Sequence, residues 1–126
     1  MFKITITSLV CVLLFTACKK ETTNGSFSFK KGQFITYLEN KKDSSTFYRV
    51  DNYQIETYKN KIDTFTIEWK NKFEFHLLKL HPKTKLDSTE FVVKITKIKN
   101  DAYEFQANYR NSNFKQKGTT IKISNN

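Results

Sequence analysis

The sequence predicts an all-β domain, an antiparallel meander of about eight short strands closed into an up-and-down barrel or folded as a sandwich. Three observations lead there. From Phe27 onward apolar residues alternate with polar ones, the period of a half-buried strand. No stretch carries apolar residues at i, i+3, i+4 and i+7 for long enough to make a helix. Short polar breaks containing asparagine separate the alternating runs, and asparagine tolerates the positive φ of tight turns.

The first three runs, GQFITYLE, STFYRV and YQIETY, are β-prone, and Tyr53 and Ile55 are assigned to the inward face of the third. In TFTIEWK the residues Phe65, Ile67 and Trp69 alternate with Thr66, Glu68 and Lys70. KFEFHL continues with Phe73, Phe75 and Leu77 against Glu74 and His76. FVVKIT offers Phe91, Val93 and Ile95, YEFQANYR offers Tyr103, Phe105, Ala107 and Tyr109, and TIKIS offers Ile121 and Ile123. These inward residues form either a packed core or the lining of a cavity for a small apolar ligand, since eight-stranded barrels do both.

Pairing must bring apolar side chains to a common face, which constrains the turns. A three-residue loop at Lys70-Asn71-Lys72 sets Trp69 against Phe73, Ile67 against Phe75 and Phe65 against Leu77. The same length at Lys59-Asn60-Lys61 sets Ile55 against Phe65, and at Lys99-Asn100-Asp101 it sets Ile95 against Phe105. With no amphipathic helix to cover its apolar face, the sheet must cover itself. Consecutive hairpins need no long crossover, so a lipocalin-like barrel is preferred to the sandwich.

The N-terminus reads as a processing segment. Lys3 precedes an apolar run from Ile4 to Phe15, too short to span a bilayer comfortably, and Thr16-Ala17-Cys18 closes it. Phe15-Thr16-Ala17-Cys18 resembles the lipobox of bacterial lipoproteins, a family in which the chain is cut before the cysteine and the thiol is diacylated, commonly with palmitate. The expected organisation is a signal peptide over 1–17, lipidated Cys18 with a flexible polar tether over 18–26, and the β domain over 27–126. Lys19 after the cysteine favours, by analogy with lipoprotein sorting, an outer-membrane anchor facing the periplasm or the cell surface. Cys11 falls in the removed leader, so the mature chain has no disulfide framework and no thiolate metal site.

The formal charge is +10, and all but two of the 22 basic residues are lysine. Only Arg49 and Arg110 carry the planar fork suited to bidentate phosphate or guanine contacts, so nucleic acid is a poor fit and an anionic lipid surface a better one. Gly25, Gly32 and Gly118 are far apart, which excludes the clustered glycines of phosphate-cradling loops. Neither a G-x-S-x-G elbow nor an H-E-x-x-H helix is present. The expected register places Glu68 opposite Glu74 and Thr66 opposite His76, a polar cluster on the outward face that reads as a solvated surface. No catalytic residue, metal or cofactor is expected; His81, before the lone Pro82, reads as loop punctuation.

YRVDNYQIETY, KIDTFTIEW, the LHPK of Leu80 to Lys83 and the KQKGTTIKI near the C-terminus carry a wider likeness. From Tyr48 onward the chain resembles a group of short Gram-negative lipoproteins often filed under the name DNA topoisomerase IV. The group tends to read L-N-P-K at the third motif, and the segment from Thr84 to Glu90, which matches least, is expected to be an exposed loop. The resemblance implies an address and an architecture, with no catalytic residue to transfer. Topoisomerase chemistry needs an acidic metal cluster and an ATP-driven partner, and this chain offers neither that cluster nor a nucleotide loop.

The expected function is a membrane-anchored binding or interaction module without catalysis, its partners a bilayer through the acyl chains and a small apolar ligand or a protein. Two other readings compete: an inhibitor of a secreted hydrolase, and a nucleic-acid-binding β surface with steep salt dependence. Metabolic labelling with palmitate tests the anchor. Wild type is expected to take up label and fractionate with membranes, and Cys18→Ala to lose both; equal labelling of the two removes the anchor.

Overall fold

The computed structural model describes residues 29–40 and 42–126; the leader, Cys18 and the tether lie outside them. Eight strands follow one another along the chain: β1 (Gly32–Leu38), β2 (Ser44–Val50), β3 (Tyr53–Tyr58), β4 (Lys61–Asn71), β5 (Glu74–Lys79), β6 (Phe91–Lys99), β7 (Ala102–Tyr109) and β8 (Gln116–Ser124). Each pairs antiparallel with the next, and β8 pairs with β1 to close the barrel. Closure leaves no free edge, and it gives every strand one face turned into a common interior.

Phe34, Phe47, Ile67, Phe75, Leu77, Val93, Ile95, Tyr103, Phe105 and Ala107 are buried there, with Phe65, Trp69 and Phe91 packed against them. Tyr109 joins them half-buried, its ring 5.0 Å from that of Phe91. The rings meet in tilted, stacked and edge-on pairs, such as Phe34 on Phe47 at 5.0 Å and Trp69 on Phe75 at 4.7 Å, adding specific contacts to the area they bury. Glycine is required at two places. Gly32 takes φ 119°, a conformation side chains avoid, and a Cβ on Gly118 would lie 2.8 Å from the Phe105 ring, so the bare backbone there makes room for an aromatic core residue.

The turns are shorter than the sequence reading expects. The hairpins turn on two residues, at 59–60, 72–73 and 100–101, where three were expected. A two-residue turn changes the facing pattern by one, and the three hairpins absorb this differently. Between β6 and β7 a bulge between Ile95 and Lys97 restores the expected pairing of Ile95 with Phe105. Between β4 and β5 a bulge between Trp69 and Asn71 restores the face but not the partners: Ile67 pairs with Leu77 and Trp69 with Phe75. Phe73 therefore sits at the tip of the turn, 54% exposed, and is not a core residue.

Between β3 and β4 no bulge intervenes, and the face of β3 inverts. Gln54 pairs with Phe65 and Ile55 with Thr64, so Gln54 and Glu56 point inward while Tyr53 and Ile55 point out. Tyr53 is exposed and Ile55 only partly covered, correcting their assignment to the core. The reason lies in the turn itself: Lys59 and Asn60 have φ of 47° and 64°, both left-handed, which is the two-residue hairpin turn whose twist matches the flanking strands.

The turns 51–52, 72–73 and 100–101 lie at the end of the barrel where Phe29 leads into β1. The connections β1–β2, β3–β4, β5–β6 and β7–β8 lie at the other. The β5–β6 connection contains the expected exposed loop, braced where Lys83 donates its backbone N–H to Asp87 Oδ2 at 3.1 Å. Asn60→Val is expected to destabilise the fold by about 1–2 kcal/mol, because a β-branched side chain resists left-handed φ, whereas Asn60→Gly should be close to neutral. Urea unfolding midpoints of the two variants check this.

Candidate ligand-binding site

Inverting β3 puts polar side chains inside an aromatic barrel. Arg49 on β2 is 2% exposed, an ionised group in the interior. Its Nε donates to Gln54 Oε1 at 3.0 Å, one terminal nitrogen to the Phe29 carbonyl at 2.7 Å, and the other to the Tyr103 hydroxyl at 3.1 Å. The rings of Phe34, Phe47, Trp69 and Phe75 have centroids 4.5–5.6 Å from the guanidinium carbon. A planar cation with bonded edges and ring-covered faces fits this site as a lysine ammonium would not. Burial pulls the guanidinium below its ordinary pKa, and Tyr103 and Glu56 oppose that fall.

Arg49 forms the floor of the closed end. Phe29, fully buried and packed edge-on against Tyr103 at 4.9 Å, is tied to it through its carbonyl. Towards the open end, Gln54 turns its amide Nε2 to Glu56 Oε2 at 3.5 Å, so its two ends bridge a buried cation and a half-buried carboxyl. Burial pushes the Glu56 carboxyl above its ordinary pKa, while hydrogen bonds from Gln54 and Ser45 pull it back. Opposite, the Thr36 and Thr120 hydroxyls share a hydrogen bond of 2.8 Å, satisfying both.

Above this floor the barrel is hollow. A cavity of about 280 Å³ lies among Phe47, Glu56, Tyr58, Phe75, Phe91, Val93, Tyr103 and Phe105, with Leu38, Asp43, Ser45 and Gln116 towards the mouth. Its walls are mainly apolar with a few placed polar groups, the usual build of a small-molecule site. Of the residues the sequence assigns to core or ligand, Phe75, Phe91, Tyr103 and Phe105 line this space, while Phe65, Ile67, Trp69 and Ile95 serve the packing around it.

The outward polar cluster forms differently from the expected register. Glu68 pairs with His76 across the strands, but its carboxylate is exposed and salt-bridged to Lys70 at 2.8 Å. His76 is buried on the outer face, its Nε2 2.8 Å from Glu74 Oε1 and its Nδ1 3.3 Å from Glu90 Oε2 without a hydrogen bond. Glu90, held below its ordinary pKa chiefly by its bond to Arg110, thus takes the place the sequence reading gives to Glu68. Among the described residues no group of three or more histidine, cysteine or acidic side chains is arranged to hold a metal ion.

Sequence reasoning misses Arg49, Gln54 and Glu56 as interior residues, because polar side chains in a strand read as its solvent face. The signal available is Lys59-Asn60: a two-residue turn there sets Gln54 against Phe65 and brings the alternate residues of β3 inside. In comparisons with known proteins, no family model, curated protein or solved structure matches this chain.

Arg49→Lys is expected to cost about 3 kcal/mol or more, since an ammonium cannot reach the Phe29 carbonyl, Gln54 and Tyr103 together and leaves polar groups buried without partners. Chemical denaturation compared with wild type measures it; a loss under about 1 kcal/mol would show that the floor does not depend on the guanidinium fork.

Proposed function

We propose that this protein is a membrane-anchored lipoprotein whose barrel is a binding module for a small, largely apolar molecule held in its lumen. The observation that carries the reading is the cavity of about 280 Å³ left between the Arg49 floor and the open end, walled by aromatic rings. It is larger than the roughly 150 Å³ apolar cavity that takes up benzene and approaches the ~300 Å³ at which ligand pockets begin, so the occupant is compact. Phe29, the first described residue, stands at the closed end.

The role proposed is binding, without chemistry on the ligand. Arg49 is committed to structural bonds, and His76, held between Glu74 and Glu90, lies on the outer face. Ethylbenzene is a suitable probe. The full chain carrying Cys18→Ala, so that no acyl chain competes for the lumen, is expected to bind it saturably with amide shifts at Phe47, Phe91 and Phe105. Val93→Phe, which fills the space, should abolish binding while the fold persists. Absence of saturable binding, or shifts confined to outward residues, would remove the reading.

A further inference from the structure

We infer that the lumen selects organic ammonium ions, the ammonium of a small amine resting against Glu56 and its apolar body lying among Phe47, Phe75, Phe91 and Phe105. This rests on the lumen-binding reading and adds the sign of the ligand's charge.

The first argument is the distribution of charge. The chain carries +10 overall, yet among the described residues none of the side chains lining the cavity is a lysine. Its charged lining groups are Arg49, Asp43 and Glu56. Arg49 is spent: bonded along its edges, stacked against rings on its faces and 2% exposed, it is part of the wall. The two carboxyl groups lie nearer the mouth; Lys59, over the Tyr58 ring, stands within electrostatic reach of Asp43 there, and Glu56 is the charged group an entering molecule meets inside.

The second argument is the state of Glu56. The ion pairs among the described residues do not include it. Its hydrogen bonds come from Ser45 and, at a long 3.5 Å, from Gln54 Nε2, and Arg49 acts on it through space without an ion pair between them. A half-buried carboxyl so weakly partnered is relieved by a donor that brings positive charge, which would also reverse the upward push that burial gives its pKa.

The third is the company of rings. Phe47 and Phe75 already present faces to the Arg49 guanidinium at 4.8 and 4.5 Å, so this interior stabilises a cation by ring quadrupoles in its resting state. Both rings also line the cavity, as do Phe91, Tyr103, Phe105 and Glu56. An anion would have to pass Glu56 to reach a guanidinium whose bonds are taken. A neutral ligand leaves the carboxyl as it was.

Three probes of similar size separate the cases: 2-phenylethylammonium, ethylbenzene and phenylacetate, titrated calorimetrically at neutral pH into the full chain carrying Cys18→Ala. The ammonium is expected to bind about tenfold more tightly than either of the others. Adding Glu56→Gln should bring its affinity to that of ethylbenzene, and Glu56→Asp should keep part of the preference. Equal binding of ammonium and ethylbenzene, or a preference that survives Glu56→Gln, overturns the inference and leaves the lumen reading standing. Tightest binding of phenylacetate overturns it in favour of Arg49 as the anchor, and no binding of any probe overturns both. The comparison of the three probes on unaltered Glu56 decides the matter even if a Glu56 variant does not fold.

Discussion

Closing eight short strands into a ring forces half of every strand into one shared interior, whatever those residues are. In this protein the constraint falls on Arg49, which alternation along β2 turns inward between exposed Tyr48 and Val50. An unpaired guanidinium in an apolar interior is costly, and the structure offsets that cost with three hydrogen bonds and four ring faces. Those groups come from Phe29, β1, β2, β3, β4, β5 and β7. One cation therefore ties together much of the closed end, and its solvation by protein groups fixes where the barrel stops being solid.

What lies above follows from that. Gln54 is oriented by Arg49, and it presents its amide nitrogen to Glu56. The floor is thus polar but satisfied, whereas the carboxyl at the next level is only weakly held. Around the cavity, Thr36, Val93 and Thr120 stand among the aromatic lining as smaller side chains. The gradient from packed floor to hollow mouth is the physical basis of the proposed uptake of a small molecule from one end.

The charge of the chain looks different once divided by the wall. Among the described residues the lysines lie outside the cavity, most of them exposed to screening solvent, while the cavity lining holds two carboxyl groups and one enclosed arginine. Net charge therefore bears on what the outside approaches, an anionic surface among the expectations, and says little about what the inside accepts.

Much of the fold was legible because alternation with a period of two survives any choice of register. Phe65, Ile67, Trp69, Phe75, Ile95, Tyr103 and Phe105 face inward by that pattern alone, and the lack of a covering helix leaves closure as the way to bury them. The sequence by itself determined the strand class, the order of hairpins and most of the aromatic interior. Only the tertiary structure decided which face of β3 turned in, because turn length and bulges each shift facing by one residue, and their sum cannot be read locally. Phe73, Tyr53 and Ile55 left the core, and Arg49, Gln54 and Glu56 entered it. Whether the interior is full or hollow was likewise decided by volumes summed around the ring, a quantity no single strand contains.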